Sequence, residues 1–333
     1  MGMDYTRRDV LRLMGATAAG AAMLGAMGRV THALSTREDP PALIWFNEGA
    51  SDLNLLTLMG QEVPGFLELV LTHWDMRSHP SLFLAPDAIP PSRGAPILVM
   101  ETIPPIPANT PTDGAVGTAF QELVGQARAV LLVGTDACYG GLSVDLERVK
   151  ALDAMCKTLR TPVVRLPGVP VPPHHIVGIL GHLEFFGFPR LDALGRPEVF
   201  YGETICAGCE RRTDFETGRH ARNFGEEGCL IKLGCRGPLT YNSCARVRWN
   251  GGENWCVGAG GPCTGCSEPG YPDHGGLGLH GALSSDFAKP SSPWWPAIRT
   301  TGFTLLGITI AGSIIQWARH LLHGEEGSKG GEA

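Results

Sequence analysis

Before Cys138 the chain has no cysteine, and the first strand-like stretch, Ala42 to Leu56 ("ALIWFNEGASDLNLL"), has no histidine and no phosphate-cradling glycine run. That stretch reads as an apolar strand, a polar loop around Gly49 and the start of a helix. In an open α/β sheet, ligands sit beyond the carboxyl ends of the strands. The loop at Glu48–Asn54 therefore borders an expected site without supplying metal or nucleotide chemistry. A basic excess is also missing: the formal net charge of -6 leaves no electrostatic footprint for nucleic acid. No internal repeat of about 20–50 residues occurs, which excludes a solenoid or propeller. Ten cysteines in 333 residues fall far short of a disulfide scaffold. Charge is absent from Thr300 to Trp317, 18 residues, just long enough for a membrane helix.

The two ends read as targeting segments. Thr6-Arg7-Arg8-Asp9-Val10-Leu11-Arg12 resembles a twin-arginine export signal, followed by a weakly apolar Ala/Gly stretch and a small-residue cleavage site at Thr31-His32-Ala33. Residues 1–33 are read as that signal peptide, with an amphipathic first helix as the alternative. Trp294, Trp295 and Trp317 flank the apolar stretch as interface anchors would, so 300–322 is read as a membrane anchor, with a buried core helix as the alternative. Together these predict a location on the periplasmic face of the cytoplasmic membrane.

Between the ends the texture changes once. Residues 40–189 alternate strand and helix patterns: Ala42–Glu48, Ala95–Thr102, Ala127–Thr135 and Thr161–Gly168 are apolar runs, and Gly117–Gly125, Val144–Leu159 and His175–Phe186 are helical periods. That alternation predicts an α/β fold, a flavodoxin-like doubly wound domain. Residues 190–289 are rich in glycine, cysteine and polar turns and lack periodicity. A region of that length cannot easily bury a core unaided.

The cysteine spacing supplies a reason. Cys206-x2-Cys209-x19-Cys229-x5-Cys235 is followed by Cys244-x11-Cys256-x6-Cys263-x2-Cys266, two consecutive sets of four. Disulfides, zinc and iron–sulfur clusters each take such sets, and spacing alone leaves all three open. Wide gaps favour the larger iron–sulfur group. Cys156 reads as a core thiol, and His174 and His175, after a proline run, as ordinary helix-start histidines, with groups supporting the metal ligands as the alternative. Trp249 and Trp255 read as packing on the cysteine region. Arg211 and Arg212 read equally as charge beside the first set or as surface.

"YGETICAGCERRTDFETG", "IKLGCRGPLT" and "WNGGENWCVGAGGPCTGCSEPGYPD", between Tyr201 and Asp273, resemble in order and spacing the small subunit of nickel–iron hydrogenases. The twin-arginine leader and the C-terminal anchor resemble the membrane-bound branch. The resemblance implies that Cys209, Cys229 and Cys235 hold a distal-type [4Fe–4S] cluster, with Cys206 where the family usually has histidine. Thiolate for imidazole adds negative charge and lowers the reduction potential. It implies that Cys244, Cys263 and Cys266 hold a medial-type cluster, completed to [4Fe–4S] by Cys256, where many members have proline.

A third, proximal cluster of the family needs four further cysteines. Their places are taken by Ser51, Asn54, Asp136 and Val169, so no proximal cluster is expected. Asp136 and Cys138 are the nearest substitutes for a single metal ion, and side chains or water are expected to fill the space. The resemblance further implies a nickel-bearing large subunit as partner, a membrane cytochrome b or another quinone-linked subunit as electron acceptor, and two clusters as the chain's own cofactors. A structural or adaptor subunit without hydrogen chemistry is the alternative, and a zinc-stabilised exported binding protein a third.

Overall fold

In the computed structural model five strands form one sheet: β1 (Ala42–Phe46), β2 (Asp75–Ser78), β3 (Ile97–Met100), β4 (Ala129–Val133) and β5 (Val163–Leu166). The structure describes residues 42–47, 53–61, 65–70, 74–78, 94–104, 115–249, 252–276, 278–281, 283, 304 and 309–315. Strand order is β2-β1-β3-β4-β5 and every pairing is parallel, with Leu43 opposite Ile97, Val99 opposite Leu131 and Leu132 opposite Arg165. This is the doubly wound order whose direction reverses between β1 and β3. Edge strand β2, with sequence DMRS, has no apolar run to announce it.

Side chains of successive residues leave opposite faces of a strand, and here both faces are buried. Leu43, Trp45, Ile97, Val99, Leu131 and Val164 join one core with α1 (Leu53–Met59). Ile44, Leu98, Met100, Val130 and Leu132 join the other. α2 (Ala115–Gln126) and α4 (Leu146–Leu159) cover that second face, while α5 (Pro173–Phe185) covers the first. A short helix, α3 (Thr135–Tyr139), starts directly after β4. Burial on both faces is why these strands read as unbroken apolar runs. Asp145 caps α4 by accepting from the Glu147 N–H at 3.1 Å, a contribution of about 1 kcal/mol. Arg160 closes it in the left-handed conformation, φ 58°.

Beyond α5 the chain runs in single turns: Glu198–Tyr201, Ile205–Gly208, Arg212–Thr217, Leu230–Leu233 and Cys244–Val247. Its small cores are built partly of cysteine, with Cys235 and Cys263 among Ile205, Leu230, Trp255 and Val257. Buried Arg196 ties this part to itself, reaching Asp192 at 2.7 Å and Glu268 at 3.0 Å.

The expected signal peptide at 1–33 lies outside the described residues, as does most of the expected anchor at 300–322. Residues 309–315 of that anchor are helical and exposed. Among the described residues no helix is long and apolar enough to cross a membrane.

Candidate functional site

The first cysteine set is assembled by tight local turns. Cys206 is the second residue of the turn Ile205–Gly208 and Cys209 ends it, its N–H donating to the Cys206 carbonyl at 3.4 Å. Cys229 is brought in by its own N–H to the Arg219 carbonyl, 2.8 Å, and Cys235 by its N–H to the Leu230 carbonyl, 3.3 Å. All four line one narrow cavity with Phe215, Ile231 and Val257. Burial pushes the Cys209 thiol up to about 11 and the Cys229 thiol up to about 12, and neighbouring sulfurs of the same set push further. Arg212 Nη1 lies 3.6 Å from Cys206 Sγ, while Arg211 sends its side chain to the Gly228 carbonyl and its N–H to Cys209 Sγ at 3.4 Å. Arg212 therefore brings its charge to the thiol set, whereas Arg211 reaches it only through its backbone N–H.

The second set is less enclosed. Cys244 begins the turn Cys244–Val247, Cys263 is buried, and Cys256 is exposed. Cys266 and Cys256 oppose ionisation of Cys244, Cys256 that of Cys266, and Cys244 and Cys266 that of Cys263. Burial pushes Cys266 up to about 11, partly offset by the Val169 N–H donated to it. Other donors aim at the remaining sulfurs: the Trp249 indole at Cys244, Gly265 N–H at Cys263, Ile231 N–H at Cys229, and Gly237 and Cys263 N–H at Cys235. Cys235 and Cys263 pack in one core, and the Arg236 N–H donates to the Cys263 carbonyl at 2.7 Å, which ties the two sets together. Buried thiols that resist ionisation and yet face N–H donors suit a cationic core that would take up their negative charge. Among the described residues, no three such side chains could hold a single metal ion.

The crevice beyond the strand ends holds a separate cavity of about 350 Å³. Asn54 after β1, Glu101 after β3, Thr135 and Asp136 after β4, and Val169 after β5 all line it. This is the switch point where such sheets place ligands. Three of the four substituted positions thus meet here; Ser51 lies outside the described residues. Asn54 is buried and donates to Glu101 Oε2 at 2.9 Å, its own carbonyl accepting from the Val171 N–H at 2.8 Å. Trp45 donates to Glu101 Oε1 at 2.8 Å. Gly134, at φ 99°, brings its backbone against Asn54: a Cβ there would stand 3.3 Å from Nδ2.

Asn54 is pulled onto the wall and Val169 is half-exposed at the rim. One expectation needs correction. Cys138 does not join Asp136: its thiol donates to the Leu132 carbonyl at 3.4 Å inside the core, on the far side of α3. Asp136 instead accepts from the Ser143 N–H and hydroxyl, 2.8 and 2.6 Å. Cys156 is buried in the same core as Cys138, and Trp255 is buried beside Cys235 and Cys263. Glu101 escaped sequence reasoning; its signal is an acid closing the apolar run Ile97–Met100.

Comparison with known proteins decides the family. The family model for the C-terminal part of the NiFe/NiFeSe hydrogenase small subunit matches residues 201–277. The quinone-reactive Ni/Fe-hydrogenase small chain of Wolinella succinogenes is 30% identical over 290 residues, covering 80% of this chain and 81% of that one. The chain belongs to the nickel–iron hydrogenase small-subunit family. The periplasmic [NiFe] hydrogenase small subunit of Solidesulfovibrio fructosivorans is 37% identical over 158 residues, 46% of this chain and 50% of that one. Among solved structures, the recombinant [NiFeSe] hydrogenase from Desulfovibrio vulgaris Hildenborough superimposes with TM-score 0.59 at 26% identity, over 73% of this chain and 98% of that one. The family match covers both thiol sets from Cys206 to Cys266 and excludes the crevice residues.

Proposed function

We propose that the chain is the electron-transfer small subunit of a nickel–iron hydrogenase-type complex. Cys206, Cys209, Cys229 and Cys235 would hold one [4Fe–4S] cluster, and Cys244, Cys256, Cys263 and Cys266 a second. Such clusters, when bound, supply one-electron storage at potentials set by charge and by hydrogen bonds to sulfur. The observation that carries this reading is the packing of the two thiol sets together, with Cys235 and Cys263 in one core and the Arg236 N–H donating to the Cys263 carbonyl at 2.7 Å. The residues do the tuning: Arg212 offsets negative charge at Cys206, and Trp249 and Val169 offset it at Cys244 and Cys266.

The catalytic nickel would belong to a large-subunit partner. A membrane cytochrome b or another quinone-linked subunit would be the acceptor; the name of the Wolinella relative, quinone-reactive, supports the quinone link. The Arg7-Arg8 leader, the 300–322 anchor and the periplasmic Solidesulfovibrio relative support placement on the outer face of the cytoplasmic membrane. No third cluster is assigned to Asn54, Asp136 and Val169.

The cavity beside those residues favours a second reading, a structural or adaptor subunit without hydrogen chemistry. Hydrogen-dependent dye reduction by the purified complex separates the two. Iron analysis tests their shared premise: about eight irons per chain are expected for two [4Fe–4S] clusters, and a zinc-loaded, iron-free chain would overturn it.

A further inference from the structure

His174 and His175 stand at the start of α5 and are both buried, within the small-subunit fold but outside the two thiol sets. His175 Nδ1 is 3.0 Å from the Tyr201 hydroxyl, and Tyr201 is 2.9 Å from the Pro167 carbonyl. His175 Nε2 is 2.7 Å from the Ser243 hydroxyl, and His174 Nε2 is 3.4 Å from that same oxygen. His175 also stacks on Phe200, ring centroids 4.1 Å apart and nearly parallel at 19°.

The proton positions in this chain follow from one end. A carbonyl cannot donate, so the Tyr201 O–H donates to Pro167. The Tyr201 oxygen then accepts, which requires N–H at His175 Nδ1. Burial keeps both rings neutral. His175 Nε2 is therefore bare and accepts from the Ser243 O–H. The Ser243 oxygen in turn accepts from His174 Nε2–H. Each bond has a single allowed direction, fixed by the backbone at Pro167.

Both ends of this chain abut the second thiol set. Ser243 immediately precedes Cys244 and its carbonyl accepts from the Arg246 N–H at 2.8 Å, so it anchors the turn that carries that thiol. Pro167 opens the loop whose Val169 N–H is donated to Cys266, and Thr135 adds a hydroxyl bond to the Cys266 carbonyl. We infer that His175 is a positioning residue for the second cluster, fixed in its Nδ1–H tautomer by Tyr201 and holding Ser243, and through it Cys244, against the α/β sheet domain. This rests on the cluster assignment proposed above. Histidine is suited to the task because its two nitrogens can accept on one side and donate on the other while the ring stacks.

The test uses the full chain in its complex. His175→Phe keeps the stack and loses both bonds; Tyr201→Phe removes the oxygen that imposes the tautomer; His175→Gln restores one donor and one acceptor. Redox titration followed by EPR should show the second cluster's midpoint and line shape shifted in His175→Phe and Tyr201→Phe and largely recovered in His175→Gln. Iron content and the first cluster's signal should stay unchanged. Nitrogen NMR of histidine-labelled oxidised complex should show His175 protonated at Nδ1. Unchanged second-cluster signals in both phenylalanine variants, equal shifts in both clusters, or protonation at Nε2 would each overturn the inference. A wild-type complex without iron would overturn the proposed function instead. The inference would then be decided by the nitrogen spectrum and by alkylation of Cys244, expected several-fold faster in His175→Phe.

Discussion

Arg212 Nη1 lies 3.6 Å from Cys206 Sγ, and Arg212 Nε is held by Glu216 at 2.7 Å. Cys206 is the position where the family usually has a neutral imidazole, so the arginine stands against the one added negative charge. Arg212→Gln should lower the midpoint potential of the first cluster and weaken its retention by about tenfold, the lower bound for loss of a group bonded to a ligand. Redox titration with EPR detection measures both. An unchanged first-cluster potential would show that the guanidinium does not act on the sulfur.

Cys256 is the exposed member of the second set and occupies a position that is proline in many relatives by sequence resemblance. With both sets intact, about eight irons per chain and no [3Fe–4S] signal are expected. Cys256→Pro should convert the second cluster towards the three-iron form, seen as a new oxidised-state EPR signal. A strong three-iron signal already present in the wild type would remove Cys256 from the ligand set.

The wall of the crevice cavity depends on Asn54, which serves Glu101 and the Val171 N–H together. Asn54→Ala leaves a buried carboxylate short of one donor and a buried N–H short of its acceptor. A loss of about 1–3 kcal/mol in unfolding free energy is expected, read by denaturant titration. A change within about 0.5 kcal/mol, the range of an ordinary surface substitution, would contradict it.

The same cavity bears on turnover. Electron tunnelling falls steeply with distance, and the three described crevice positions offer no thiolate. Hydrogen oxidation slower than roughly tens of turnovers per second is expected. Ordinary rates in a preparation with two clusters per chain would refute this. Introducing Ser51→Cys, Asn54→Cys, Asp136→Cys and Val169→Cys together should raise iron towards about twelve per chain, three [4Fe–4S] clusters.

Burial pulls His174 down to about 4, and burial together with the neighbouring His174 pulls His175 well below its ordinary value. A histidine in the unfolded chain titrates near 6.5. Between those values the unfolded state binds more protons, so the contribution of His174 is complete above about 6.5 and is lost as pH falls towards 4. The full swing is on the order of 3 kcal/mol. His174→Gln should flatten the fall in melting temperature across that window. An unaltered acid limb would show that the ring is not held neutral.

Much of this could be read along the chain. Runs such as Ala129–Val133 are buried on both faces, so they stand out as unbroken apolar segments, and the cysteine spacing sets the two thiol groups without any fold. β2 could not be read, because a four-residue polar edge strand is specified by its neighbour β1 rather than by its own side chains. Cys138 and Asp136 illustrate the same limit. They are two residues apart in sequence, but α3 turns one into the core and the other towards solvent.

By itself the sequence determined what is local and periodic: the alternation of strands and helices, the two four-cysteine sets, and the absence of cysteine at the crevice. Contacts between residues far apart in sequence needed the folded chain. The Arg236 N–H on the Cys263 carbonyl, the Glu101 carboxylate held by Trp45 and Asn54, and the His175 bonds to Tyr201 and Ser243 depend on packing that brings separate segments within about 3 Å, and hydrogen-bond direction is defined only at that range.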